Sequence, residues 1–296
     1  MTLFVTGATG FIGSHFLRVS LEAGHSLVAL RRSPTSRPRI PIKNEELMVA
    51  SGQLQWLNKA MKEVTIADLQ ACDILLHLAA AGVSQQDRDW ATLFQTNVTD
   101  SLALWMQAAK AGIKRFVICG SCFEYGQSGE RHDFIPVDAL LEPTTPYAAS
   151  KAAATMAAMA LAHEHQLYVV IARPFHVYGA GESGHRFWPS LRQAAFAGED
   201  FPMTLGEQIR DFIPVEEVAT CFLDEASQLS SISDAQSFTW PRIVNIGSGH
   251  PQTLRQFAER WWKQWNAQGN LLLGSIPYRN QELMKCVPEI SVLKQL

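Results

Sequence analysis

The segment Tyr147-Ala148-Ala149-Ser150-Lys151 places a phenol and an ammonium four residues apart. On a helix those two groups share one face. A nearby lysine charge favours tyrosinate and draws a phenol pKa down from about 10 towards neutrality. Tyr147 is therefore expected to give or take a proton at a carbonyl or carbinol oxygen. Ser121 is a second candidate. It follows the apolar run Phe116-Val117-Ile118-Cys119, which reads as a buried strand, so it stands just past a strand end. Its successors, Cys122 and Phe123, are poor proton carriers. The turn thus offers a hydroxyl with no acid or base directly beside it.

A third feature lies at the start of the chain. Gly7-Ala8-Thr9-Gly10-Phe11-Ile12-Gly13 sits between a predicted strand and a predicted helix. Gly7, Gly10 and Gly13 allow a tight turn, close approach of backbone to a pyrophosphate, and close helix–strand packing. The helix N-terminus adds free N–H groups and a partial positive charge. Dinucleotide sites that take NAD place a carboxylate about 20 residues further on, at the end of the second strand, to hold the ribose 2′-hydroxyl. Here the chain reads Leu30-Arg31-Arg32-Ser33. Arginine pairs with phosphate through its planar fork. Arg31 and Arg32, with Ser33 or Arg37, therefore favour NADP(H); a solvated basic turn is the alternative.

The elements that must carry these groups alternate along the chain. Strand candidates are 2–6, 26–30, 73–78, 115–119 and 168–172, and helix candidates lie near 11–23, 90–112 and 147–165. Such alternation, with near-continuous apolar strands, implies right-handed βαβ units and a parallel sheet covered on both faces. The expected fold is α/β, a Rossmann-type doubly wound parallel sheet with a smaller C-terminal lobe. Residues 1–175 and about 210–248 are assigned to the cofactor domain. About 176–209 and 249–296 are assigned to a substrate lobe. Within the lobe, a short helix is expected around 187–197, a strand at 243–247 leads into it, and Thr253 to Gln256 reads as a capping box opening a helix at about 254–267. Residues 31–43, rich in Pro and Arg, read as an irregular loop.

Several stretches in this order resemble the extended short-chain dehydrogenase/reductase family, in its sugar-nucleotide epimerase/dehydratase branch. They are TGATGFIGSH (6–15), HLAA (77–80), TNV (96–98), SCFEYG (121–126), YAASK (147–151), ARPFHVYG (172–179), RDFIPVEEVA (210–219) and NIGSG (245–249). A looser resemblance is to the branch's reductases of nucleotide-linked 4-keto-6-deoxysugars, of the CDP-abequose synthase type. The family resemblance implies that Ser121 hydrogen-bonds the reacting oxygen, Tyr147 exchanges its proton, and Lys151 holds the nicotinamide ribose. It implies that Phe11 and Ile12 offer backbone N–H groups to the pyrophosphate. Leu78, Ala79 and Ala80 would line the cofactor, with Pro174 to Val177 near the carboxamide. Arg210 matches a family arginine that grips the sugar nucleotide's phosphates; an ion pair with Asp211 or Glu216 is the alternative. The family's usual Asn in RPxNVYG is His176 here, which is expected either to contact the diphosphate or to pack as a satisfied histidine. His185 and Arg186 stand where they could meet substrate or remain solvated.

The branch catalyses several reactions, and the residues discriminate among them. Family dehydratases carry Asp-Glu directly after the catalytic Ser/Thr; Cys122 and Phe123 occupy those places, so dehydration is not expected. The family's 4-epimerases generally use NAD, which the two arginines oppose. The expected activity is NADPH-dependent reduction of the C4 ketone of a nucleoside-diphosphate 4-keto-6-deoxyhexose, with Cys122, Phe123, His176, Arg186 and Arg210 on the substrate side. A 4-epimerase, a reductase of a non-sugar carbonyl, and a non-catalytic NADP-binding sensor are the alternatives.

Composition bounds the rest. With 296 residues, 47% hydrophobic and 18% charged, the chain has ample core for one large α/β domain. A net charge of −3 gives no bulk attraction to nucleic acid or an anionic membrane. No signal peptide or membrane-length apolar run is read, so a cytoplasmic protein is expected. The five cysteines lack metal-like spacing; Cys119 and Cys122 are a close pair, read as reduced, packed thiols, and no metal site is expected. Helix 148–162 is richer in Ala and Met than packing on one sheet face requires. The resemblance implies a homodimer through this helix and the one near 90–112; burial within the monomer is the alternative.

Overall fold

The first half of the chain alternates as its apolar runs require: β1 (Thr2–Thr6), α1 (Phe11–Glu22), β2 (Ser26–Arg31), α2 (Glu45–Ala50), β3 (Leu54–Asn58), α3 (Ile66–Leu69) and β4 (Ile74–His77). Then come α4 (Trp90–Phe94), α5 (Ser101–Lys110), β5 (Arg115–Cys119), α6 (Pro146–His165), β6 (Tyr168–Pro174) and β7 (His176–Tyr178). The remainder is α7 (Phe187–Ala197), β8 (Phe201–Met203), β9 (Ile209–Pro214), α8 (Val215–Ser231), β10 (Arg242–Ile246), β11 (Pro251–Thr253), α9 (Leu254–Gln264), β12 (Leu271–Leu273) and β13 (Lys285–Cys286). This computed structural model describes residues 1–82, 89–232, 241–280 and 282–290. Residues 233–240 and 291–296, which fall inside the expected domain spans, lie outside the described residues.

Seven strands form one parallel sheet in the order β10-β6-β5-β4-β1-β2-β3. The winding reverses between β1 and β4, and ligands of such sheets bind beyond the carboxyl ends of the strands at that point. Gly7, Leu78, Ser121 and Pro174 all stand at those carboxyl ends. Both sheet faces are covered. Phe16, Leu17 and Leu21 of α1 meet Phe222 and Leu229 of α8 over one face. Leu104 and Trp105 of α5 meet Ala158 and Leu161 of α6 over the other. Burial on both sides explains why the central strands carry no polar alternation.

Several elements differ from expectation. Strand β3 was not foreseen, because it is an edge strand whose LQWLN pattern mixes buried and exposed positions. Helix α8 was not foreseen either, although Val215, Val218, Ala219, Phe222, Ala226 and Leu229 repeat at helical spacing and are buried. The helix expected near 90–112 is divided: between α4 and α5 the backbone widens into a π turn over Gln95–Asp100. The 31–43 loop is irregular after β2 ends, and Ile40 and Ile42 are buried to anchor it.

A smaller sheet stands beside the first. Its centre, β9, pairs with β11 and β13 along its first half and with β7 along its second. The buried Asp211 carboxylate fastens this sheet to the NIGSG turn, accepting from the Ser248 backbone N–H (2.8 Å), the Ser248 hydroxyl (2.7 Å) and the Gly249 N–H (2.8 Å). The capping box is present: Thr253 Oγ1 accepts from Gln256 N, and Gln256 Oε1 accepts from Thr253 N. Trp261 and Trp265 of this region stack at 5.0 Å, and both pack edge-on against Trp188 of α7. Trp261, Trp262 and Trp265 pack, partly buried, against Leu191, Met203 and Ala258. Among the described residues no helix is long and apolar enough to cross a membrane.

Candidate active site

The loop after β1 is built for close approach. Gly7 has φ +66°, and a Cβ there would lie 2.6 Å from the Leu78 carbonyl carbon and 2.7 Å from Ala79 N. A Cβ at Gly13 would lie 2.1 Å from Gly7 O. Helix α1 can therefore start directly against the turn only with glycine at both positions. Gly10 caps α1 without a side-chain hydrogen bond, so the N–H groups of Phe11, Ile12 and Gly13 point out of the helix end without intrahelical partners. Leu78 and Ala79 line the loop from β4, and Ala79 N donates to Thr6 Oγ1 (3.2 Å). Ala80 follows them at the same sheet edge. At the end of β2 the Arg31 guanidinium lies over the Trp56 ring (4.6 Å), and its Nε donates to Asn58 Oδ1 (2.7 Å). Its Nη1 is buried without a hydrogen-bond partner, a donor that an anionic ligand oxygen would satisfy. Arg32 and Arg37 are exposed, and Ser33 is bonded to Thr35 and Ser36. The residues present fit a dinucleotide cofactor, which supplies or accepts a hydride when bound.

Ser121, Tyr147 and Lys151 come together. Tyr147 enters α6 in its first turn, behind the N-cap Thr145 and Pro146. Its phenol hydrogen-bonds with Ser121. Lys151 lies one turn on, buried, and its Nζ donates to the Cys119 carbonyl (2.6 Å). The expected fall in the Tyr147 pKa does not occur. Burial pushes the phenol up, the neighbouring Cys119 thiol adds to this, and the Ser121 hydrogen bond opposes it only in part. Tyr147 is thus a neutral phenol. Pro174 closes β6 and Val177 lies on β7, at the same edge of the sheet.

The turn Ser121–Gly126 is held by a residue to which the sequence alone assigned no role. Glu124 is fully buried. Its Oε1 accepts from Ser121 N (2.7 Å), and its Oε2 accepts from Thr155 Oγ1 (2.8 Å) and Arg173 Nε (2.9 Å). Arg173, also buried, lies over the Tyr125 ring (4.6 Å), and Tyr125 donates to Asn245 Oδ1 (2.7 Å). Asn97, of the TNV stretch, is a second such residue. In the π turn it accepts from Ala81 N (2.7 Å) and donates to Ser150 Oγ (2.9 Å), which donates to the Tyr147 carbonyl (2.8 Å). Near it, His77 bridges Thr6 Oγ1 and Ser101 Oγ (both 3.1 Å), and burial lowers its pKa to about 3, so it is neutral.

On the substrate side, Phe123 packs edge-on against the His176 ring (6.1 Å). Cys119 and Cys122 do not act as a pair. The Cys119 sulfur turns to the Gly120 carbonyl (3.4 Å), whereas the Cys122 thiol hydrogen-bonds with Cys286, which holds Cys122 protonated. Arg210 is paired neither with Asp211 nor with Glu216. Its Nη2 reaches Glu282 Oε1 (3.3 Å) and the Leu283 carbonyl. Arg186 is half exposed and pairs with Glu182 (3.4 Å), whose carboxyl burial pushes up to about 7. His185 is exposed.

Residues 3–247 match the model of the NAD dependent epimerase/dehydratase family. The chain belongs to that family. It is 26% identical to a UDP-glucose 4-epimerase of Neisseria meningitidis serogroup B, over 85% of this chain and 79% of the relative. It is 23% identical to the CDP-abequose synthase of Salmonella muenchen, over 99% of this chain and 91% of that protein. Among solved structures it resembles MoeE5 in complex with UDP-glucose and NAD, with 25% identity and a TM-score of 0.80 over 99% of this chain and 90% of that one. The chain is thus a member of a family of NAD(P)-dependent sugar-nucleotide enzymes, with the fold read from its alternating runs.

Removing the Glu124 charge should leave Arg173 buried and uncompensated, which costs about 3–5 kcal/mol. Glu124→Gln is expected to lower the urea midpoint accordingly and to loosen Ser121. A loss below about 1 kcal/mol would show that the pair does not organise the turn.

Proposed function

We propose that this chain reduces the C4 ketone of a nucleoside-diphosphate 4-keto-6-deoxyhexose with NADPH. The observation that carries the reading is the exhaustion of proton-transfer groups in the turn after Ser121. Cys122 is held as a neutral thiol, Phe123 has no titratable group, and both Glu124 oxygens are occupied. Eliminating water from a sugar needs an acid and a base beyond the tyrosine–serine pair. Carbonyl reduction needs one proton, and the neutral phenol of Tyr147 supplies it.

In the proposed reaction the Ser121 hydroxyl donates a hydrogen bond to the ketone oxygen. A bound nicotinamide would supply the hydride to C4, and the Tyr147 proton goes to the new alkoxide. Lys151, one helical turn away and anchored on the Cys119 carbonyl, sets the ammonium beside the ribose and the phenol. Asn97 and Ser150 fix the backbone that carries Tyr147. Phe123 and His176 form a wall suited to a deoxy methyl, and Arg210 offers its guanidinium to the diphosphate. The cofactor preference rests on the end of β2, where Arg31 keeps a buried, unpartnered Nη1, Arg32 is exposed, and the segment Leu30 to Ser33 carries no carboxylate. The likeness to CDP-abequose synthase across nearly the whole of both chains supports this reading. The UDP-glucose 4-epimerase relatives support the second reading, a 4-epimerase that oxidises and re-reduces the same carbon.

Purified protein should oxidise NADPH in the presence of nucleoside-diphosphate 4-keto-6-deoxyhexoses. NADH should be at least about tenfold less efficient, the equivalent of about 1.4 kcal/mol. Tyr147→Phe should cut turnover by about 10²–10⁴-fold. Interconversion of UDP-glucose and UDP-galactose without NADPH consumption on any ketosugar would establish the epimerase instead. Tight binding of a bare nucleoside diphosphate separates both from a reductase of non-sugar carbonyls.

The same reading includes a homodimer through α4, α5 and α6. These helices expose Trp90, Met106 and Met156, the last 58% exposed, although α6 is packed against the sheet on its other side. A Met156→Glu variant is expected to elute as a monomer by light scattering where the parent is a dimer. A parent that is itself monomeric removes this part of the proposal.

A further inference from the structure

Three side chains far apart in sequence converge one residue beyond the catalytic serine. Cys122 stands in the turn after Ser121, His176 opens β7, and Cys286 ends β13. Their two sulfurs and one imidazole nitrogen all lie within 4.8 Å of one another. We propose that Cys122, His176 and Cys286 bind a thiophilic divalent cation, zinc foremost, with a fourth coordination position left for water or a ligand oxygen. The inference does not rest on the reductase reading.

The geometry is near what such an ion requires. Zinc–sulfur bonds of about 2.3 Å and zinc–nitrogen bonds of about 2.0 Å set tetrahedral ligand atoms roughly 3.5–3.8 Å apart. The cluster therefore needs a contraction of about 1 Å or less, within reach of side-chain rotation. Donor chemistry agrees. Thiolate and imidazole together select zinc and other soft cations over magnesium or calcium. Two thiolates and a neutral imidazole cancel the charge of a divalent ion, which lessens the cost of burying it.

The imidazole is already arranged as a ligand. His176 Nδ1 is buried without a hydrogen-bond partner. The Asp211 backbone lies within reach of the ring. Metal-bound histidines commonly donate their second N–H to a backbone carbonyl, which fixes the tautomer and leaves one lone pair for the ion. A buried nitrogen without a partner is costly in a folded protein, and the thiol–thiol hydrogen bond beside it is weak. One cation would satisfy all three side chains. Arg210 adjoins Cys286 across the β13–β9 pair. Phe123 and Phe212 flank the imidazole at 6.1 and 5.8 Å and limit its access to water.

Sequence spacing hid this site. The chain's evident CxxC pair, Cys119 and Cys122, is divided between two environments, and the true partner of Cys122 comes from 164 positions later.

The test uses the full-length protein, reduced, stripped with a chelator and titrated with cobalt(II). A thiolate-to-cobalt charge-transfer band in the near ultraviolet and intense tetrahedral bands in the visible should saturate at one equivalent and disappear on adding zinc. Cys286→Ser and His176→Gln should each weaken cobalt binding by at least about 10–100-fold, the range that even outer-sphere changes cause. Cys72→Ser, a buried thiol elsewhere, should leave the spectrum unchanged. Circular dichroism identifies a variant that has not folded, and the other variant then decides. Absence of the charge-transfer band in fully reduced parent protein overturns the proposal. So does a band that survives in both variants, or a Cys122–Cys286 disulfide whose reduction yields no cobalt binding.

Discussion

One buried carboxylate holds the candidate active site together. Glu124 and Arg173 form an ion pair whose side chains are 0% and 1% exposed. Charges so far from water are tolerated only when each is paired and its remaining hydrogen-bonding capacity is used. Here it is used for positioning. Glu124 receives the Ser121 N–H at the end of β5 and the Thr155 hydroxyl from α6, the helix that carries Tyr147 and Lys151. Arg173 belongs to β6, and through Tyr125 and Asn245 the same group reaches β10. Four neighbouring elements thus meet at one charge pair. Gly120 is part of the arrangement, because a Cβ there would lie 2.8 Å from Glu124 Oε1 and 2.9 Å from Arg173 Cγ.

This constraint bears directly on chemistry. The Glu124 carboxylate, bonded to the Ser121 N–H, is committed to structure, so it is not free to act as acid or base. What remains at the reacting position is a serine hydroxyl and a phenol that burial keeps neutral. A neutral phenol suits delivery of a proton to a forming alkoxide. The site is sparse in proton-transfer groups because its charged groups are occupied in building it.

Much of the fold was legible in the sequence, as was the meeting of Ser121, Tyr147 and Lys151 that the resemblance implies, because the signals are local. Three glycines within seven residues define the phosphate turn, and Tyr147 and Lys151 share a helix face by spacing alone. Long apolar runs gave the five inner strands named from the sequence. Features that depend on tertiary meeting were not legible. Glu124 and Arg173 are 49 positions apart, and neither type announces a buried pair. Asn97 acts only because a π turn rotates it toward Ala81 and Ser150. The Cys122–Cys286 contact joins the catalytic turn to the last described strand. Edge strand β3 lacks the continuous apolar run of its inner neighbours, whereas helix α8 did carry a readable period. The tyrosine pKa departs from expectation for a related reason: spacing gives the lysine's distance along a helix, while burial and the neighbouring Cys119 thiol push the phenol up.

The central claim is that the site performs a net reduction, with the hydride leaving the cofactor for good. It is tested most directly by following deuterium from NADPH labelled at nicotinamide C4 during reaction with a nucleoside-diphosphate 4-keto-6-deoxyhexose. The account predicts one deuterium at C4 of the product sugar for each NADP⁺ formed. Sugar turnover without net NADP⁺ formation, or deuterium absent from C4, would contradict it.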